Sequence, residues 1–371
     1  MNKVDFARSL CYLRVPEALH RALYPQALSI VMYHGVVDRE TRVRDWCFLD
    51  VRAFRKQMEY LKSRFQVLSL HEAVERLQAG EIHKPTAAIT FDDGYQSTLD
   101  LAYPVLKELN LPATVFLCTD LVGSDETVWF CRLLEALTET RRTQICWRGK
   151  RFPLDSPAAL SRAAAALQSC LKVLPPYDLT EAVDEISWEL GYDPMRPICP
   201  HSPYRILDAS SLERMSRQGL IEFGAHTASH VILSKLAERE KRAEIRRSIA
   251  AVKTLCGGDC RYFAYPNGSI DDYDESSIHY VREAGVRAAF TTIQRPNTTE
   301  TPRFEMRRYG VGCDMSMAEY QFSVHHVKSL YHRWSFSARK GADLRKPETP
   351  MAPAGTPADY QHSASAVERY H

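Results

Sequence analysis

The sequence has no apolar run approaching the roughly eighteen residues of a membrane-spanning helix, so its 371 residues offer no candidate span. Its first stretch, MNKVDFARSLCYLRVPEALHRALYPQ, lacks an apolar core of signal-peptide length and reads as a short amphipathic lead-in over residues 1–26. Net charge is also small, with 48 Lys and Arg against 46 Asp and Glu. Overall charge therefore makes no case for nucleic acid as a partner. The ten cysteines show neither zinc-ribbon spacing nor the framework of a small secreted domain. Cys118, Cys131 and Cys170 fall in apolar segments, as reduced buried thiols do. Cys256 and Cys260 flank Gly257-Gly258, where a disulfide is open but unsupported. This usage points to a reducing compartment. The expected location is cytoplasmic, with contact at the inner membrane surface left open.

What the sequence does contain is a βαβ pattern from Thr86 to Cys118. Ala87–Phe91 is a short apolar run of strand length, Leu99, Tyr103, Leu106 and Leu109 recur at helical spacing, and Ala113–Cys118 is a second apolar run. Such crossovers imply parallel strands. Asp92 and Asp93 stand at the C-terminal end of the first strand, where α/β folds carry their chemistry. A plain Asp-Gly turn explains that stretch alone about as well. A second stretch, EFGAHTASH, places His226 and His230 four residues apart. In a helix or tight helical turn that spacing puts both imidazoles on one face. Asp plus two His makes a three-ligand metal site with room for a water, and the pairing is far more specific than either part.

TFDDG followed by HTASH resembles the NodB-like polysaccharide deacetylases, over roughly residues 30–311 with one long insertion. The resemblance implies a distorted, incomplete (β/α) barrel that removes N- or O-acetyl groups from sugars with a divalent metal, usually zinc. Carried over by position, Asp92 corresponds to the general base, and Asp93, His226 and His230 to the metal ligands. The residues suit that chemistry: an amide needs a Lewis acid to polarise its carbonyl, and a carboxylate beside the metal can accept the proton of water. Exopolysaccharide-acting members carry a similar Tyr-His near the N-terminus and lack a late L-x-H motif. Here Tyr33-His34-Gly35 ends the first predicted strand, so His34 is the expected proton donor to the leaving amine.

The third family motif, F-R-P-P-Y-G, is altered. Phe263 and Gly268 align, but Ala264 stands at the Arg position and Asn267 at the aromatic one. Tyr265, Pro266 and Asn267 remain candidates for substrate and oxyanion contacts. Arg308, in FEMRRYG, is the candidate replacement for the missing arginine, paired with Asp92. Helices are expected over Phe54–Phe65, Ser69–Gly80 with Ser69 as cap and His71 at the surface, Leu207–Leu220, and Ala237–Leu255 as a charged, solvated helix. Residues 126–203 read as a helical excursion over the active-site face, with a hairpin at WRGKRFPLD. Its Trp129, Phe130, Trp147 and Trp188 either stack on sugar rings or hold an accessory core. His325-His326 sit in a late helix. The barrel domain is expected over 27–334, and a Pro-, Ala- and Ser-rich tail without periodicity over 335–371.

The expected activity is metal-dependent deacetylation of N-acetylated sugars in a polysaccharide or lipid-linked glycan. A catalytically impaired glycan-binding module, a sugar O-acetyl esterase and a non-haem Fe(II) oxygenase are the alternatives.

Overall fold

The computed structural model describes residues 3–327. Eight parallel strands form one sheet: β1 (Leu28–Tyr33), β2 (Gln66–Val67), β3 (Thr86–Phe91), β4 (Ala113–Leu117), β5 (Ile221–Ala225), β6 (Tyr262–Ala264), β7 (Ala288–Phe290) and β8 (Tyr309–Gly310). In space they run β7-β6-β5-β4-β3-β1-β8. β2 and β4 share one side of β3: β2 pairs with Thr86 and Ala87, and β4 takes over at Thr90 and Phe91. The sheet splays between them. Closure rests on a short segment, in which Met306 bridges Phe290 of β7 and Tyr309 pairs with Val31 of β1. This is the curled, incomplete (β/α) barrel.

Alternation along the strands sorts the side chains onto two faces. Ala87, Ile89, Phe91, Val115, Leu117 and Phe263 face outward. They pack with Phe54, Met58, Leu61, Ile245, Ile249 and Val252 of the surrounding helices. Ile30, Ala88, Phe116, Tyr262, Ala264 and Phe290 belong to a second cluster with Leu70, Ala73, Val74 and Leu77, which fills the interior. There is no spare room inside. A Cβ on Gly224 would lie 2.6 Å from the Phe116 ring and 2.8 Å from the Tyr262 carbonyl.

The helices begin where capping chemistry allows. Asp50 accepts the Arg52 N–H at the start of Val51–Arg64, Ser69 the Glu72 N–H at Leu70–Gln78, and Asp208 the Ser211 N–H at Ala209–Ser216. The charged helix spans Glu238–Cys256 and is not solvated all round. Lys241 is buried beneath Glu238 and Asp274, beside Ile245, Ile249 and Val252.

Between β4 and β5 the chain forms helices Trp129–Glu139, Pro157–Leu171 and Pro176–Glu189, and a hairpin of Gln144–Trp147 with Lys150–Pro153. Arg148 and Gly149, with φ of 46° and 73°, supply the left-handed pair that a two-residue turn requires. This excursion has its own core, including Leu134, Trp147, Phe152, Leu167 and Ile186, and it meets the barrel through Phe48 and Tyr95.

The structure meets most of the remaining expectations and corrects one. All ten cysteines are free, Cys256 and Cys260 included. His71 is half-buried and not free at the surface; its Nδ1 lies 3.1 Å from the Tyr262 hydroxyl. Trp147 is an accessory-core residue whose indole N–H reaches Glu185, and Trp188 points to solvent. No helix among the described residues is long and apolar enough to cross a membrane. The tail expected over 335–371 lies outside the described residues.

Candidate metal centre

Strand alternation delivers the site. The inward parity that carries Ile30 and Met32 continues to His34 beyond β1. That of Ala88 and Thr90 continues to Asp92 beyond β3, and that of Gly224 to His226 beyond β5. Arg308, two residues after Met306 of the interior cluster, lies inside as well. All four side chains thus converge at the C-terminal end of the barrel.

Asp93 breaks the parity. Its φ of 71° lies in the left-handed region, which carries its carboxylate back over the barrel mouth. Gly94 follows at φ 79°, and a Cβ there would strike Leu117 at 2.8 Å. Two successive carboxylates can therefore serve one pocket. The two histidines meet without the expected helical turn. His226 directly follows β5, and Thr227 and His230 both adopt left-handed backbone, with φ of 60° and 59°. The reason is local: a helical turn would continue the chain away from the barrel mouth, whereas the left-handed bends fold it back.

The Asp93 Oδ1 lies 3.5 Å from His226 Nε2 and 3.3 Å from His230 Nε2. One ligand atom from each residue falls within 4.8 Å of the other two. The His226 Nδ1 is 2.8 Å from the Ala264 carbonyl, which makes it the protonated nitrogen and leaves Nε2 as a lone pair. Burial lowers His226 to about 4 and His230 to about 3, so both rings are neutral near pH 7. Asp93 is fully buried, and burial, only partly offset by His34 and His226, raises its pKa. Its Oδ2 and the His230 Nδ1 have no hydrogen-bond partner. A buried carboxylate with an unmet oxygen, facing two imidazole lone pairs, is a donor set that a divalent cation would satisfy.

Asp92 is a different carboxylate. Arg308 grips it from both nitrogens, at 2.6 Å to Oδ1 and 2.8 Å to Oδ2. The guanidinium also donates to the Thr291 carbonyl at 3.0 Å and lies over the Phe116 ring, 5.4 Å from its centroid. Burial pushes the Asp92 carboxyl up, but Arg308 and His226 outweigh it, and the result is about 2. Asp92 Oδ2 stands 3.9 Å from His226 Nε2, beside the cluster. Arg308, just before β8, thus brings a guanidinium to Asp92 where the altered motif has Ala264.

His34 lies against the Trp46 ring, centroids 4.9 Å apart, and its buried Nδ1 has no partner. The loop after β6 is only partly as expected. Tyr265 is buried, its N–H donates to the Phe290 carbonyl, its hydroxyl to the Phe304 carbonyl, and its ring stacks on Tyr273. The Pro266 carbonyl accepts from Gly268. Neither faces the site. Asn267 does, at φ 61°, with its side-chain amide held by Asp272.

The cavity above the cluster is small, about 60 Å³. His34, Asp92, His226, His230 and Asn267 line it, together with Met32, Trp46, Cys47, Ile232 and Thr292. The excursion adds Trp129, Phe130, Gln168 and Lys172 as a roof. Trp46, Gln168 and Lys172 escape a reading of the sequence. Gln168 and Lys172 lie more than fifty residues from either motif and carry no local signal. Only the packing of the excursion brings them in.

Comparison with known proteins agrees with the fold. Solved structures of the same fold include the Streptococcus pyogenes deacetylase PplD in complex with acetate. It has a TM-score of 0.55 at 15% identity, over 81% of this chain and 99% of that one. IcaB from Ammonifex degensii gives 0.51 at 21% identity, over 81% and 97%. The polysaccharide deacetylase family model matches residues 79–289, so the chain belongs to the polysaccharide deacetylase family. Among curated relatives, the poly-beta-1,6-N-acetyl-D-glucosamine N-deacetylase of Staphylococcus epidermidis is 39% identical over 72 residues, 19% of this chain and 25% of that protein. The putative polysaccharide deacetylase YxkH of Bacillus subtilis is 32% identical over 103 residues, 27% and 34% respectively. The matched region spans only a quarter to a third of these relatives' length.

Proposed function

We propose that this protein hydrolyses the acetamido groups of an N-acetylated glycan, polymeric or lipid-linked, in a metal-dependent reaction. The observation that carries the reading is the division of labour between adjacent carboxylates. Asp93 sets Oδ1 against two neutral imidazoles and leaves Oδ2 unmet, while Asp92 is held ionised by Arg308 beside them. A facial-triad oxygenase has no use for the second carboxylate. A mere binding module has no use for a buried bidentate ion pair at the same point.

Asp93, His226 and His230 would hold the metal, with zinc matching one carboxylate and two imidazoles. When bound, it supplies the Lewis acidity that polarises the acetyl carbonyl and acidifies a water to a pKa of roughly 7. Asp92 accepts that water's proton as the C–O bond forms. Its low pKa keeps it ionised at any working pH, and the Arg308 fork fixes its aim, so Arg308 is a positioning residue. His34, at the end of the neighbouring strand, donates a proton to the departing nitrogen. Asn267 is the loop residue placed to meet the developing oxyanion, through its backbone N–H.

The test is acetate release from N-acetylglucosamine oligomers and crude host glycan. Wild type, Asp92→Asn and metal-stripped protein are compared, with zinc and cobalt added back. The reading expects release that metal restores and that Asp92→Asn abolishes at unchanged metal content. Metal-replete protein that binds glycan without releasing acetate would make it a binding module instead.

A further inference from the structure

The roof contributes one basic side chain to the cavity, Lys172. It follows the last turn of helix Pro157–Leu171, and that end of the helix is pinned on both sides. Gln168 donates to Asp45 Oδ2 at 2.8 Å, and the Lys235 ammonium, from the turn just after His230, donates to the Lys172 carbonyl. Lys172 is therefore held at the cavity and does not hang from a loose loop. Its charge reaches His230 and Cys47.

Among the described residues no carboxylate pairs with this ammonium. The one acidic side chain lining the cavity, Asp92, is already committed to Arg308. Around Lys172 the walls are largely apolar, with Trp129, Phe130 and Ile232. A half-buried cation in such a setting loses hydration without compensation. The arrangement leaves one positive charge for an incoming molecule to match. The cavity itself, at about 60 Å³, has room for little beyond an acetyl group. The partner charge must then sit on the sugar that carries the acetamide, or on its immediate neighbour, at the mouth.

We propose that Lys172 selects an anionic glycan, one bearing a carboxylate or phosphate within about one sugar of the acetamido group removed. This rests on the deacetylase reading for the reaction, but the preference for charge is measurable without it.

The experiment uses the zinc-loaded full chain and three probes: tetra-N-acetylchitotetraose, the same oligomer oxidised to carboxylate at C6, and UDP-N-acetylglucosamine as the phosphate source. Acetate release gives kcat and KM. Where no acetate appears, calorimetric titration of the same probes gives affinity directly, so a failed deacetylase reading and a failed charge preference are told apart. The expectation is that wild type favours at least one anionic probe over the neutral oligomer by about tenfold or more. Lys172→Met should erase that preference through KM or affinity while kcat on the neutral oligomer stays unchanged. Lys172→Arg should keep it. Which anionic probe responds distinguishes carboxylate from phosphate. Equal treatment of all three probes by wild type would overturn the proposal. So would a Lys172→Met protein that loses kcat on charged and neutral probes alike, because Lys172 would then serve the chemistry.

Discussion

Two buried groups of three histidines occupy opposite parts of this barrel, and they are built differently. At the C-terminal end, His34, His226 and His230 surround two carboxylates, and several of their nitrogens and oxygens meet no protein partner. Near the start of β1, His20, His325 and His326 pack with no carboxylate among them. His20 and His325 approach at 3.1 Å between Nδ1 atoms, Tyr60 bonds His325, and Tyr309 and Ser29 bond His326. Their rings stack on one another and on Phe65. The lower group spends all its ring nitrogens but His20 Nε2 on one another and on neighbouring hydroxyls, and joins the lead-in helix Val15–Leu23 to the end of the last described helix. The upper group leaves His34 Nδ1, His230 Nδ1 and Asp93 Oδ2 unspent. Buried histidines mark a ligand site only where their lone pairs converge on a charge that nothing in the protein answers.

The contrast can be broken most decisively at Asp93. Asp93→Asn is expected to lose both bound zinc, by elemental analysis, and all acetate release. Retention of stoichiometric metal would remove Asp93 from the donor set. Next is Arg308→Met, which leaves Asp92 buried without its cation. Stability in urea should fall by about 3–5 kcal/mol, the usual cost of breaking a buried pair, and kcat should fall by about 10²–10⁴. Arg308→Lys should recover part of the stability and little of the rate, because a single ammonium cannot hold both carboxylate oxygens. An Arg308→Met protein of full activity would show that Asp92 needs no aiming.

The lower group yields a pH signature. Burial, with Arg21 adding to it, lowers His20 to about 4, and burial lowers His325 to about 3. Unfolded histidine titrates near pH 6.5. The native state therefore binds fewer protons, and the stability these groups confer is complete above about 6.5 and lost as pH falls toward 4. Zinc should protect the upper histidines from protons and leave this slope in place. Thermal melting of zinc-loaded protein from pH 7.5 to 5 should show it, and His20→Phe should flatten it. If zinc alone removes the slope, the lower group is not the source. The smallest effect belongs to Trp188, exposed on the excursion: Trp188→Ala should alter stability by less than about 0.5 kcal/mol and leave kcat/KM intact.

The barrel site was legible because strand periodicity carries a three-dimensional rule. Once β3 and β5 are placed, Asp92 and His226 must point into the same mouth. The partnership of Arg308 with Asp92 could be anticipated because a catalytic carboxylate buried without its usual arginine requires another. The route by which His226 and His230 meet was not legible. A spacing of four suits a helix, and only the packing against Ala264 and Phe130 selects the left-handed bends. Lys172 was hidden for a different reason. A lysine at the end of an amphipathic helix is ordinary in sequence, and its meaning comes from where a separately packed excursion lands.

Four residues around the donor set, Asp93, Thr227, His230 and Asn267, have left-handed backbone without being glycine. Each such position costs on the order of 1 kcal/mol or more, Thr227 above all, as a β-branched residue. Backbone bonds such as Asp120 N–H to the Ala228 carbonyl hold these bends, and a bound cation would add a tie between Asp93 and His230. The mouth of the barrel is therefore the place where amide hydrogens should exchange soonest once metal is withdrawn, while the strands beneath stay protected. Measured metal affinity will then report two things at once: the strength of three coordinate bonds, and the free energy needed to keep a sprung rim closed.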